Sequence, residues 1–472
     1  MQYCDVLLTH HLLLSAGFAF HQTDRDPTAL QKAECPQGRC SNHSRVRDFD
    51  LLGYRYSLLS SIGTAGLNSV LNMLPARDTQ EFTLFPKEDI AFVNTWLSWT
   101  DENVELLKQT RPIPSLATPA AGAADGTIML HADTGHTGAM FLYNPTMREL
   151  NVSLPLSGES SASLDFRCGV GGATTGILVR QIASSERSAP ASAQAYNLGL
   201  LDCASGVLSL TLPATSAKVL TFEKWDGGSI TVLGSSYSKA LVDDNGVLSV
   251  DGAQGESGTD LQLAVVLPPG TKHVAQLTAN GQKIPTISTK ILGSAAVVAQ
   301  GATWAGQRFK RAQEIIPSTR TRDAGQQAGS TWAGSFSVPQ SAIDQLKARN
   351  ASYPIEYNTD PSDSDDANVP WLAPGRLLIF VKYQTPIDDT LNVTGTIDGR
   401  ALLVRKAYNT IVRNAGRFIG HWADVTHLVV PGKRQTLTLQ LPGQALLSGD
   451  ALQGVFFDNV ETIVTNEVSH GR

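Results

Sequence analysis

One strongly helical stretch closed by a proline pair, followed only by strand-like runs, constrains this chain more than any other feature. Between Pro86 and Gln109 apolar residues recur at Ile90, Val93, Leu97, Val104 and Leu107, with Phe92, Trp96 and Trp99 beside them. That spacing makes one face of a helix. Pro86 suits a first helical position, where no donor is needed, and Lys87, Glu88 and Asp89 follow it. A helix over this range would be about 36 Å long. Arg111-Pro112-Ile113-Pro114 stops it, because proline cannot continue a helix and biases its predecessor toward extended backbone. Upstream, the apolar run Tyr56–Ile62 reads as a buried strand delivering the chain to the turn Gly63-Thr64-Ala65-Gly66, with Leu67–Leu74 as a short helix.

After the prolines the pattern changes period. Ser115 to Gly126 is rich in Ala, Pro and Gly, as a linker would be. Short runs then recur at Thr127–His131, Ala139–Asn144, Glu149–Leu156, Ile177–Ile182, Val207–Leu212 and Ala217–Lys224, which together read as a β-sandwich. A small β unit of sandwich or immunoglobulin-like type follows, with alternation at Ser229–Leu233, Val247–Val250 and Leu261–Leu267 and a hairpin turn at Asn280-Gly281. From residue 301 onward, strands punctuated by Asp398-Gly399 and Pro431-Gly432 fit a jelly roll. The expected domains are therefore 1–114, 115–224, 225–300 and 301–472.

With 41 glycines, 23 prolines and charged residues at only 17%, the composition favours an ordered, mainly β protein of several domains. Thirty-seven basic against 43 acidic side chains, a net charge of −6, give no electrostatic case for nucleic acid. No uninterrupted apolar stretch is long enough to span a bilayer. Of the five cysteines, Cys35 and Cys40 either close a small loop or stand as free thiols, and Cys168 and Cys203 are placed to pair across the sandwich. Sequons at Asn42, Asn151, Asn350 and Asn392 are compatible with secretion. The N-terminal run Leu12–Phe20 is a poor signal peptide, since Asp5 precedes it, no Lys or Arg does, and His10 and His11 interrupt it.

Several phrases carry a likeness: SSIGTAGLN (Ser60–Asn68), PARD (Pro75–Asp78), WLSWTDEN (Trp96–Asn103) and MFLYNP (Met140–Pro145). They resemble the end of the (β/α)8 barrel, and the β-sandwich after it, in α-galactosidase-like glycoside hydrolases. The later phrases IDGR, WADVT, LQLP and GVFFDNV, between Ile397 and Val460, resemble the galactose-binding-like jelly rolls appended to many glycosidases. The resemblance implies a multidomain, mainly β chain: a partial barrel end, a β-sandwich, a small β spacer and a jelly roll. It also implies an extracellular carbohydrate-active protein. Only 53 residues precede Tyr54, whereas a complete barrel needs at least about 200. The expectation is thus a chain that carries the C-terminal part of such an enzyme without the strands that bear its working carboxylates. The alternative is a non-catalytic carbohydrate-binding or cell-surface β protein.

Candidate site residues follow from that frame. Leu14–Phe20 would be one more barrel strand, with His21, Asp24 and Asp26 just past its end, where barrel enzymes keep their catalytic groups. Asp24 and Asp26 are the catalytic candidates and His21 a substrate contact, although two carboxylates so close in sequence seldom hold acid and base geometry. Arg77 and Asp78 either line a sugar cleft or brace their own loop. Sugars offer a flat apolar face ringed by hydroxyls, so their sites pair aromatic plates with forked polar groups. In the last domain Trp371, Tyr408 and Trp422 are candidate plates and Lys406, Arg413 and Arg417 candidate donors; for each aromatic the competing reading is a core residue. The loop Asp360–Asp366 is either a solvated acidic turn or a structural calcium site using Asp363 and Asp365; no other cofactor is expected. The expected partner is an oligosaccharide or glycan.

Overall fold

A computed structural model describes residues 52–64, 87–113, 115–116, 123–144, 146, 148–158, 163–168, 176–185, 195–214, 216–255, 259–305, 312–322, 330–344, 377–383, 392–408, 418–441 and 452–458. Three β bodies follow one another along the chain, and three helices cover the first.

Helix α1, Leu52–Gly63, replaces the strand expected over Tyr56–Ile62. Its described side chains are buried all round, Arg55, Ser60 and Ser61 included, and its apolar residues Tyr56, Leu58, Leu59 and Ile62 join the core above the sheet. A short apolar run cannot be assigned by its period alone; here the choice is made by the sheet it lies on. Its C-terminus is closed by Thr64, whose amide and Oγ1 both donate to the Ser60 carbonyl. The single long helix expected next is divided into α2, Lys87–Glu102, and α3, Val104–Leu107. Asn103 marks the break, its Nδ2 donating to the Trp99 carbonyl at 2.8 Å.

These helices rest on one face of a six-stranded antiparallel sheet ordered Arg111–Pro112, Asp125–Leu130, Gly138–Asn144, Ser216–Trp225, Gly176–Ser184 and Tyr196–Asp202. Tyr56, Leu59, Trp96, Phe141 and Tyr143 share one core on that side. Phe141 meets Trp96 and Trp99 in edge-to-face contacts, with ring centres 5.8 Å apart in each. On the other face Met140 and Leu142 join Val152, Leu154 and Leu208 from a two-stranded sheet, Leu150–Pro155 with Val207–Leu212. Gly138–Asn144 is therefore buried on both sides, which explains its unbroken apolar run. The strand ending in Asn144 is interior to its sheet. Buried Asn144 spends its amide on the carbonyls of Arg148, Leu212 and Pro213 and its Oδ1 on Thr146. Cys168 and Cys203 form the expected disulfide. Among the described residues no sheet closes into a barrel.

The second body stacks two four-stranded sheets around Val232, Leu248, Val250, Leu263, Val265 and Val297. One is ordered Lys239–Val242, Leu248–Asp251, Leu277–Ala279 and Gln282–Ile284; the other Thr286–Ile291, Ser294–Ala299, Ala264–Val266 and Thr231–Leu233. The Asn280-Gly281 hairpin forms as expected, both residues at positive φ (50° and 77°).

The third body stacks two five-stranded sheets around Trp332, Phe336, Ile379, Val381, Leu437, Leu439 and Phe457. One is ordered Ala312–Glu314, Leu452–Asp458, Leu378–Tyr383, Phe418–Asp424 and Arg405–Tyr408; the other Pro317–Arg322, Ser330–Ser337, Arg434–Leu441, Thr394–Ile397 and Arg400–Ala401. Arg434–Leu441 alternates between exposed and buried residues, as a strand with one wet face must. Leu378–Tyr383 does not alternate, because its outer face is covered as well.

Candidate functional site

A cleft of about 660 Å3 opens between the first and second bodies. Asn151, Ser153, Ser209 and Thr211 line it from the two-stranded sheet with Glu149 just before it, Tyr196 and Leu198 from the last strand of the six-stranded sheet, and Thr259, Asp260, Gln262 and Trp304 from the second body. The two-stranded sheet turns its apolar residues inward, so its polar residues must face out; there Thr211 Oγ1 donates to Asn151 Oδ1 at 2.8 Å.

Trp304 is fixed before any ligand arrives. Its amide donates to the Thr259 carbonyl at 2.9 Å, Leu261 N–H donates to Ala302 O, and Asp260 bridges Thr303. The ring lies on bare backbone: a Cβ on Gly255 would fall 2.1 Å from its Cε2 and Nε1. Only glycine leaves room for the ring in that place. The bodies are also bolted beside the cleft, with Gly234 N–H donating to Asn197 O at 2.7 Å and Asn197 Nδ2 to Val232 O at 2.9 Å.

Lys218 enters the cleft from below. It stands opposite Leu142 in the sheet register, and Leu142 belongs to the core beneath the two-stranded sheet, so Lys218 shares that inward face. The residue is only 7% exposed and has no hydrogen-bond or ion-pair partner among the described residues.

The residues singled out in the sequence do not meet here. His21, Asp24, Asp26, Arg77, Asp78, Asp363, Asp365, Trp371, Arg413 and Arg417 lie outside the described residues. Lys406 and Tyr408 fall on the edge strand Arg405–Tyr408 of the third body. Trp422 is 7% exposed and packs with Leu378, Phe380, Phe456 and Ala214, the last from the first body. Its Nε1 has no partner among the described residues, and the Arg405 guanidinium lies 5.7 Å from its ring centre. Trp422 therefore offers no open plate for a sugar, in line with its core reading.

Sequence reasoning missed Tyr196, Trp304 and Lys218. Tyr196 and Trp304 stand in no recognisable motif. Lys218 did leave a signal: in Ser-Ala-Lys-Val-Leu-Thr-Phe it shares alternation with Leu220 and Phe222, putting a cation on the inward face of a buried strand. No protein-family model and no curated protein matches the chain.

Proposed function

We propose that this chain binds carbohydrate, and that the cleft between its first and second bodies is where the sugar lies. The observation that carries the reading is the pairing of two half-buried aromatic side chains, Tyr196 and the prepositioned Trp304, with hydroxyl, amide and charged groups on one wall-to-wall surface. An apolar plate edged by polar groups is the complement of a pyranose ring. The likeness to α-galactosidase-like hydrolases and their galactose-binding-like modules points to the same ligand class. The Cys168–Cys203 disulfide, together with the exposed sequon residue Asn392, supports an oxidising, extracellular setting. In this reading the polypeptide grips glycans and does not cut them.

The test is titration of neutral oligosaccharides while tryptophan fluorescence is followed. A saturable change is expected in the parent protein, with affinity reduced about fivefold to tenfold in Trp304→Ala, the scale of one aromatic contact. A flat response across a broad panel would remove the proposal. Aryl glycosides supply the second arm: no sugar release is expected, and measurable turnover would restore the hydrolase reading.

A further inference from the structure

We infer that the cleft selects a sugar bearing a carboxylate, a uronic acid, and that Lys218 is the anchor for that group. The inference rests on the carbohydrate reading above and deepens it. Placing an ammonium group among apolar neighbours without acceptors is costly. Most buried lysines escape that cost by pairing, yet among the described residues none pairs with this one. It opens instead onto the floor of the cleft. The acceptors on the cleft walls do not reach Lys218 with a hydrogen bond or ion pair among the described residues, and a carboxylate lying on the floor supplies two oxygens with the compensating charge, in the strong, charge-assisted form of the hydrogen bond.

The other charges around the cleft do not cancel this preference. Glu149 and Asp260 are the acidic groups on its lining, and both are exposed at the rim. Water screens them strongly, whereas Lys218 acts through a medium of lower dielectric constant. Glu149 is moreover already engaged by neighbouring groups. A ligand that places its acid deep and its hydroxyls outward meets Lys218 below, the Asn151, Ser209 and Thr211 side chains on one wall, and Trp304 on the other.

The experiment compares a uronic-acid trisaccharide with its carboxyl-reduced, neutral counterpart, the same sugar without the charge, by calorimetry on the whole protein. The acid should bind at least about tenfold tighter, as a charge-assisted hydrogen bond would give. Lys218→Met keeps the stem and removes the charge; it should bring the two affinities together and melt no lower than the parent protein. Lys218→Gln gives a second, independent removal of the charge if the methionine variant folds poorly. Equal affinities in the parent protein would overturn the anchor and leave carbohydrate binding standing. A preference for acid that survives both substitutions would overturn it too, because the carboxylate would then sit elsewhere. Binding of neither sugar would overturn this inference and the carbohydrate reading together.

Discussion

The first body meets its two neighbours in opposite ways. Against the third body the joint is closed: Ala214 is buried among Leu378, Phe380, Trp422 and Phe456, and Arg148 holds Glu314 through both its Nε and a terminal nitrogen. The same guanidinium lies 5.7 Å from the centre of the Phe456 ring. Against the second body the contact is an apolar patch, Leu200, Leu233, Ala264, Val266 and Ala296, with Trp225, Ile291 and Leu292 among the half-buried residues packed on it and open space beside it. The 660 Å3 cleft and another of about 420 Å3 both reach Tyr196. Aromatic rings and an ion pair close the first joint; at the second an apolar patch and backbone hydrogen bonds hold the bodies together while polar walls beside it stand apart. A ligand site needs the second kind of joint, held by something like the first.

The largest effect should come from emptying the closed joint. Phe456→Ala removes a ring buried between the third body and Ala214 and is expected to cost about 3–5 kcal/mol in denaturant unfolding. A loss under about 1 kcal/mol would mean that the joint is looser than its packing implies. Glu314→Ala comes next. It leaves Arg148 without its carboxylate over an aromatic ring, at about 1–3 kcal/mol, the usual range for charged hydrogen bonds, and toward its lower end because both side chains keep some solvent. A double-mutant cycle with Arg148→Met reads the coupling directly, and strict additivity would argue against a working pair.

How much of this contrast the sequence discloses depends on how local its causes are. The hairpins at Asn280-Gly281 and Asp398-Gly399 are legible, because two successive positive-φ residues demand those residue types. The helix beginning near Pro86 is legible because its apolar spacing is equally local, although its break at Asn103 is not. The closed joint leaves a trace in Leu377-Leu378-Ile379-Phe380-Val381 and Val455-Phe456-Phe457, unbroken runs that require cover on both faces. What covers them is not written there. Tyr56–Ile62 reads as a strand in the sequence and folds as a helix, because only the sheet beneath it decides between the two. The cleft is the least legible part, since residues as distant as Asn151, Tyr196, Lys218 and Trp304 meet only through tertiary packing.

Gly255→Ala sharpens the open side of the comparison. A methyl group there must push the Trp304 ring off its seat, because the nearest ring atoms would be 2.1 Å away. Affinity for glycans should therefore fall about as far as in Trp304→Ala, by roughly fivefold to tenfold. The apolar patch at the same joint is untouched, so stability should change less than in either closed-joint variant. Unchanged binding would show that the position of the ring does not matter, and with it that Trp304 is not the plate.

The smallest effect belongs to a turn that touches neither joint, which makes it the control. Asp398 sits at φ 49° in an exposed hairpin and accepts from Thr436 N–H at 2.9 Å, Lys433 Nζ at 3.2 Å and Gln435 Nε2 at 3.3 Å. These bonds, the Thr436 amide first, hold its carboxyl below the usual carboxylate range. A depressed folded value stabilises the fold above the unfolded value of about 3.9, and the contribution is lost as the pH falls through the folded one. Asp398→Asn keeps the left-handed turn, which asparagine tolerates, and still accepts from Thr436, but it has no proton to gain. Melting temperatures followed from pH 6 downward should thus decline more steeply for the parent protein than for the variant once below about pH 4. Parallel acid limbs would remove the assignment. Glycan affinity at neutral pH should be the same in both proteins; a difference would mean that the third body communicates with the cleft, and that the closed joint transmits as well as holds.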